Sequence, residues 1–388
     1  MVHDTLTPGK YFPKNMTPPD REEILAMLGS YGHMSGGDIR LIDSSHGADD
    51  LRLNYIIDRK WVLRIVSAPD MTEKRLSELD RLIGRYRDFG LICPAFLPDP
   101  AGRFIHERDG LTCCLSEFID LPTADDLSLT DAEKDALMRE VYVSVAGFAE
   151  RYRNVDLSDT MGMYSLFDLS PFDKAEGIDE KQQNFNSLCG SLRGIGETAL
   201  AERLEKTHAL IRGKLKAVYK ALPRCVFQAD ENLSNVLVDR EHHLAGLIAF
   251  NLAGTEVIVN QFANLGSGFD EDITEPIGAG TRFDHALQSC RKDRDLLLGI
   301  YHATEEEKRA MTWYTWIALV AGWPQVCFFL GGLKKESLKG EILELLDMLA
   351  DPECLEQLRM KNDGDKLYPQ KRTGRPSLNM RSLPRSSS

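Results

Sequence analysis

The alternation of apolar and polar positions divides the chain into a strand-rich first third and a helix-rich remainder. Asp20 and Glu23 make a capping-box start for a helix over 21–30, each side chain satisfying the other residue's backbone donor. Three strands are expected next, at 38–44, 51–58 and 60–66. Leu51, Leu53, Tyr55 and Ile57 share one face of the second, and Asp58-Arg59 fits the tight turn into the third. Asp70 and Glu73 open a helix whose Leu76, Leu79, Leu82, Ile83 and Tyr86 lie on one stripe. A hairpin over 103–107 and 111–118, turning at Asp109-Gly110, completes a five-stranded antiparallel sheet with one helix inserted after its third strand. Beyond Asp120 the period becomes helical: Thr130 with Glu133 caps a helix to about Asn154, Glu197 to Leu222 forms another, and Thr304 with Glu307 opens a third. In this half only 225–256 reads as strands and turns. The expectation is an α+β fold of two lobes, 1–117 and 118–360, followed by a tail, 361–388, whose Pro, Ser, Arg and Gly show no apolar period and point to disorder.

Charge narrows the partners. The chain carries a formal −13, yet the tail has seven Lys or Arg against two Asp, so the body is more acidic than the total. Duplex nucleic acid is an improbable partner for that body, because binding phosphates needs a concentrated basic surface. A cationic acceptor would suit it. The eight cysteines form neither a disulfide framework nor metal-ligand knuckles, so reduced thiols in a cytoplasmic protein are expected. Residues 1–11 lack the basic start and apolar run of a secretory signal. The uncharged stretch 312–333 is long enough for a bilayer, but Pro324, Gln325 and three glycines interrupt it, and a buried core is expected rather than a membrane span.

The chemistry concentrates in CVFQADENLSNVLVDREHHLAGLIAFNLAGTE, residues 225–256. A short apolar strand delivers Asp230, Asn235 follows five residues later, and Val236–Val238 with Leu247-Ile248 form a hairpin around the polar turn 239–243. Asp-x-x-x-x-Asn alone carries little information; the flanking strands and the upstream sheet give it weight. The stretch resembles the catalytic and metal loops of the aminoglycoside phosphotransferase and choline kinase family, relatives of the protein kinases. The resemblance covers roughly 25–335, most specifically 225–256. It implies a kinase-like bilobal fold, ATP and magnesium as cofactors, and transfer of a phosphoryl group to a small-molecule hydroxyl. Asp230 would then position and deprotonate the hydroxyl, and Asn235 would bind metal.

Two residues depart from that pattern. Gln228 stands where the family usually has His, and its amide can still bond neighbouring backbone. Ala249, before Phe250 and Asn251, occupies the place of a metal-binding Asp. Alanine offers magnesium no oxygen, and Asn251 supplies only a neutral amide. Two explanations stand open, a natural pseudokinase that binds nucleotide or metabolite and a single-site inactivating substitution.

Upstream, the resemblance places Arg64 against the nucleotide phosphates and Glu78 on the following helix as its partner. Ser45 and His46 fall where a phosphate-covering loop belongs, without a glycine-rich signal. Ser116, Phe118 and Ile119 lie in the linker that binds adenine in related folds. Asp270 and Asp272, in an acidic cluster, are candidates for acceptor recognition, although a solvated loop is the simpler reading. His242-His243 read as a solvated turn. The resemblance leaves the acceptor open among aminoglycosides, choline, amino alcohols, sugars and macrolides.

Overall fold

The computed structural model describes residues 8–359 apart from 10, 14–15, 36, 48–49, 68–70, 174–176, 267 and 270–274. Helix α1 (Arg21–Ser30) starts at the expected capping box, with Glu23 N donating to Asp20 and Asp20 N donating to Glu23. Strands β1 (Ile39–Asp43), β2 (Arg52–Ile57), β3 (Trp61–Val66), β4 (Ile105–Arg108) and β5 (Leu111–Glu117) form one antiparallel sheet in the order β1-β2-β3-β5-β4. Its register pairs Tyr55 with Leu63 and Ile65 with Cys113, so the apolar positions share a face. That face packs on Ile24, Leu28 and Tyr31 of α1 and forms its own buried cluster. The opposite face aligns Asn54, Arg64 and Cys114.

The inserted helix α2 (Glu73–Phe89) is capped by Thr72, whose hydroxyl accepts from Arg75 N; Asp70, the expected cap, lies outside the described residues. Its predicted stripe is buried, but in the larger core shared with the C-terminal helices rather than in the cluster under α1. The Glu73 carboxylate joins the helix to the outer strand by accepting from Phe104 N at 3.0 Å and Ile105 N at 2.8 Å.

The remainder is helical, with α3 (Asp131–Tyr152), α4 (Glu180–Gly194) and α5 (Thr198–Val218) ahead of a short β region. In that region β6 (Arg224–Phe227) pairs with β9 (Gly254–Val257), and β7 (Val236–Val238) pairs with β8 (Leu244–Leu247). Helices α6 (Ile258–Leu265), α7 (Ala279–Leu298), α8 (Glu305–Ala321), α9 (Trp323–Leu333), α10 (Glu336–Ala350) and α11 (Cys354–Leu358) complete the chain. The uncharged stretch is thus two helices meeting at 41°, and among the described residues no single helix is long and apolar enough to cross a membrane. Trp316, Val320, Val326 and Phe329 on these helices are buried in the large core. All eight cysteines are free thiols.

Glycine is obligatory at one junction. Ile92, after α2, exchanges backbone hydrogen bonds with Ala245 at 2.9 Å and Leu247 at 3.0 Å, which fastens it to β8. A methyl group on Gly246 would overlap the Ile92 carbonyl. The hairpin carrying the candidate metal loop is therefore docked directly on the segment leading into the sheet.

Candidate active site

Strand β6 is buried through Cys225, Val226 and Phe227, and it releases the chain at Gln228, which is completely buried. The Gln228 amide donates to the carbonyls of Ile248 at 2.8 Å and Ala249 at 3.0 Å, while its Oε1 accepts from Asp230 N at 2.7 Å. Its backbone N–H donates to the Tyr86 hydroxyl of α2 at 3.1 Å. One side chain thus holds both predicted loops in a fixed relation, as the sequence suggested a Gln in this place could.

Asp230 and Asn235 converge. Asn235 Nδ2 donates to Asp230 Oδ2 and to the Asp230 carbonyl, each at 2.8 Å, and Asn232 Nδ2 donates to Oδ1 at 2.7 Å. Each carboxylate oxygen retains a second lone pair for an incoming donor. Among the described residues no donor reaches Asn235 Oδ1, which is left as an acceptor. Burial pushes the Asp230 carboxyl above its ordinary range and outweighs the opposing bonds from Asn232 and Asn235. The adjacent Glu231, completely enclosed and bonded to Gln261 Nε2 at 3.2 Å, is pushed by burial up to about 7.

The loop 248–251 is the second one that Gln228 holds. Ala249 lies in the left-handed region at φ 58°, ψ 62°, and Ala229 beside Asp230 has φ 67°. Asn251 falls in the following single helical turn, Phe250–Leu252, and its carbonyl accepts from the Arg75 guanidinium at 3.2 Å. A second Arg75 bond goes to the Ala253 carbonyl, so this buried arginine ties α2 to the loop. Sequence reading missed Arg75, because nothing local distinguishes it from the other charges of its helix.

The expected pair of Arg64 and Glu78 is not formed. Glu78 accepts from the Ser158 hydroxyl at 2.5 Å, the Thr160 hydroxyl at 2.9 Å and Asp159 N at 3.2 Å, and it lies 3.7 Å from Arg75 Nη1. Burial raises its pKa, but these bonds and Arg75 together bring it below the ordinary carboxylate range. Glu78 is one helical turn from Arg75 and is consumed by the C-terminal part of the chain. Arg64 instead keeps a buried Nε with no hydrogen-bond partner among the described residues, on the sheet face turned away from α1.

Ser45 and His46 lie on the connection between β1 and β2, where Ser45 Oγ accepts from Arg52 N at 2.9 Å and His46 N donates to the Asp50 carbonyl at 3.2 Å. Ser116 is paired opposite Val62 in the sheet. Phe118 N donates to the Lys60 carbonyl at 2.8 Å, whereas the Ile119 N–H makes no hydrogen bond among the described residues. Exposed His243 sits 2.6 Å from Glu140 and His242 3.5 Å from Glu133, both on α3, as solvated-turn residues do. Asp270 and Asp272 lie outside the described residues.

Magnesium needs several oxygens, usually one or two carboxylates with waters and phosphates. Asp230 and Asn235 Oδ1 fit that need and the Ala249 methyl does not. Among the described residues no group of three His, Cys, Asp or Glu side chains could hold a metal.

No family model and no curated protein matches the chain. Among solved structures, it is similar to a spectinomycin phosphotransferase in complex with ADP and spectinomycin, with 13% identity, 88% of this chain and 98% of that one covered, and a TM-score of 0.47. It is also similar to a microcompartment-associated aminopropanol kinase, with 14% identity, 85% and 95% coverage and a TM-score of 0.49. A third is the GDP complex of an aminoglycoside 2'-phosphotransferase, with 13% identity, 86% and 99% coverage and a TM-score of 0.44.

Proposed function

We propose that the chain is built as an ATP-dependent phosphotransferase acting on the hydroxyl of a small molecule, and that Ala249 impairs it. The observation that carries this reading is the convergence of Asp230 and Asn235 in one loop, locked by Gln228 to the backbone of a second loop at 248–249. Phosphoryl transfer needs little covalent help and much positioning and charge stabilisation. Asp230 supplies the oxygen that aligns the acceptor hydroxyl and receives its proton. Residues 1–117 act as the nucleotide lobe and 118–360 as the catalytic and acceptor lobe. The orphaned Arg64 Nε supports a role against phosphates, and the unbonded Ile119 N–H, with Ser116 and Phe118 beside it, supports the adenine role of the linker. Ser45 and His46 cap the cleft from the β1–β2 connection. Magnesium would lie on Asn235 and would neutralise phosphate charge; position 249 contributes nothing to it and Asn251 is the weak substitute.

Calorimetry with ATP tests the nucleotide half: binding should be measurable and should weaken on Arg64→Ala. No change on that substitution would remove Arg64 from the phosphate site. A second reading is favoured by one observation, Ala249 itself: a pseudokinase would bind nucleotide and stay inactive after Ala249→Asp.

A further inference from the structure

A cavity of about 270 Å³ is lined by residues of α4, α6, α7, α8 and α9, at the small end of the roughly 300–1,000 Å³ of ligand sites. Tyr164 lines it, and its phenol is within electrostatic reach of Asp230 and Glu231. Among the described lining residues the only charged side chain is Lys181, in the first turn of α4. Lys181 is 4% exposed. Its ammonium stands 5.0 Å from the centre of the Tyr164 ring, and among the described residues it makes no ion pair and no hydrogen bond.

A buried ammonium is normally paired, since removing a charge from water is costly unless an opposite charge or hydrogen bonds replace the solvent. Three carboxylates face Lys181, and each is engaged elsewhere. Asp179 binds the Arg212 guanidinium at 2.5 and 3.2 Å. Glu180 accepts from Asn184 Nδ2 at 3.1 Å. Glu256 accepts from Val257 N, Asn260 Nδ2 and Ser165 Oγ at 2.7, 3.0 and 3.1 Å. Burial depresses the Lys181 pKa against the pull of these groups, so an anion bound beside it would favour its charged form.

We infer that the acceptor is a small hydroxylated molecule bearing an oxyanion, a carboxylate in the simplest case, seated on Lys181 with its hydroxyl directed toward Asp230. This rests on the phosphotransferase reading for the fate of the hydroxyl, but the anion site stands on the cavity and the unpaired lysine. The acidity of the whole body suggested a cationic acceptor; the lining of the cavity points the other way, and lining acts at contact distance.

The test compares acid and amide without nucleotide. Glycerate and 4-hydroxybutyrate, and the matching hydroxy amides, are titrated into the full chain by thermal shift, with acetate and sulfate as plain anions. The acids should stabilise the protein and the amides should not. Lys181→Met should weaken acid binding at least tenfold and, without ligand, melt no lower than the parent, whereas Lys181→Arg should keep the preference for acids. Equal stabilisation by acid and amide, undiminished acid binding in Lys181→Met, or no response to any anion would overturn the inference. ATP calorimetry on the same sample separates the two readings: anion binding without ATP binding sinks the phosphotransferase reading alone, and ATP binding without anion discrimination sinks this one alone.

Discussion

The loop 229–235 and the loop 248–251 share one frame and differ in what they present. Both pass through a left-handed alanine, and both are held by the same Gln228 side chain. Ala229 is buried, at 1% exposure, where a larger side chain has no room. Ala249 is half-buried. Left-handed backbone costs an L-residue roughly 1–2 kcal/mol, and Asn and Asp accept it more readily than other non-glycine residues. At 229 a packing requirement accounts for alanine. At 249 the burial is only partial, and the left-handed backbone is one that Asn and Asp tolerate better than alanine. In the phosphotransferase proposed above, the loop with Asp230 and Asn235 presents polar side-chain atoms and the loop at 249 presents a methyl group.

The most severe test removes the frame itself. Gly246→Ala should destabilise the chain by about 4 kcal/mol or prevent folding, because the clash is with backbone rather than with a movable side chain. Chemical denaturation reads this, and a change below about 1 kcal/mol would show that the two loops do not share a rigid support.

Acidity should separate the site from its surroundings. Burial pushes Glu256, which accepts three hydrogen bonds beneath the site, up to about 7. Its folded pKa is above its unfolded value, so the folded state holds a proton that the unfolded state has lost between about pH 4.5 and 7. Its contribution is therefore full below about pH 4.5 and is lost as pH rises to about 7, amounting to about 3 kcal/mol at 1.36 kcal/mol per unit. Thermal unfolding of Glu256→Gln should show that part of the slope removed, and an unchanged slope would mean that Glu256 is ionised in the fold.

Ala249→Asp should raise phosphotransfer to a panel of hydroxylated acceptors by at least a hundredfold, about 2.7 kcal/mol, through metal-borne charge stabilisation. ATP consumption with magnesium measures it. Equal turnover by both forms would place the metal on another residue, Asn251 being the candidate. Gln228→Met should cost about 2 kcal/mol by leaving the Asp230 N–H and two carbonyls without their partner. Loss of stability with turnover unchanged, when Gln228→Met is combined with Ala249→Asp, would break the claim that Gln228 aligns the loops.

The smallest effect is the sharpest control. Ala249→Gly relieves the left-handed backbone without adding an oxygen, so it should gain about 0.5 kcal/mol of stability and no activity. A gain in activity comparable with that of Ala249→Asp would show that backbone strain, rather than the missing ligand, limits the site.

Much of this was legible in the sequence where the evidence is local. Alternation in 51–57 and 61–66 and the turn at Asp109-Gly110 specify the sheet, because side-chain direction along a strand depends only on parity. The two-loop segment was legible for a similar reason: Asp230, Asn235 and Ala249 lie within one run of short strands. Arg64 was located on its strand, but its pairing with Glu78 was not obtained, since the competing partners Ser158 and Thr160 are some 80 positions away. Lys181 was invisible by the same logic. It looks like any helix-start lysine until α6, α8 and α9 close over it, and only tertiary burial turns it into an unmatched charge. Helix α7 carries a mixture of charges without a strong stripe, and its packing rather than its pattern defines it.

The first two turns of α2 make three attachments in different directions. Glu73 holds the outer strand, Arg75 holds the carbonyls of 251 and 253, and Glu78 holds 158–160. The β4 edge and the turn that follows Ala249 are thus joined through Glu73 and Arg75, two positions apart on one helical turn, and in the phosphotransferase proposed above the seating of the sheet and the aim of the loop would be set through that single helix.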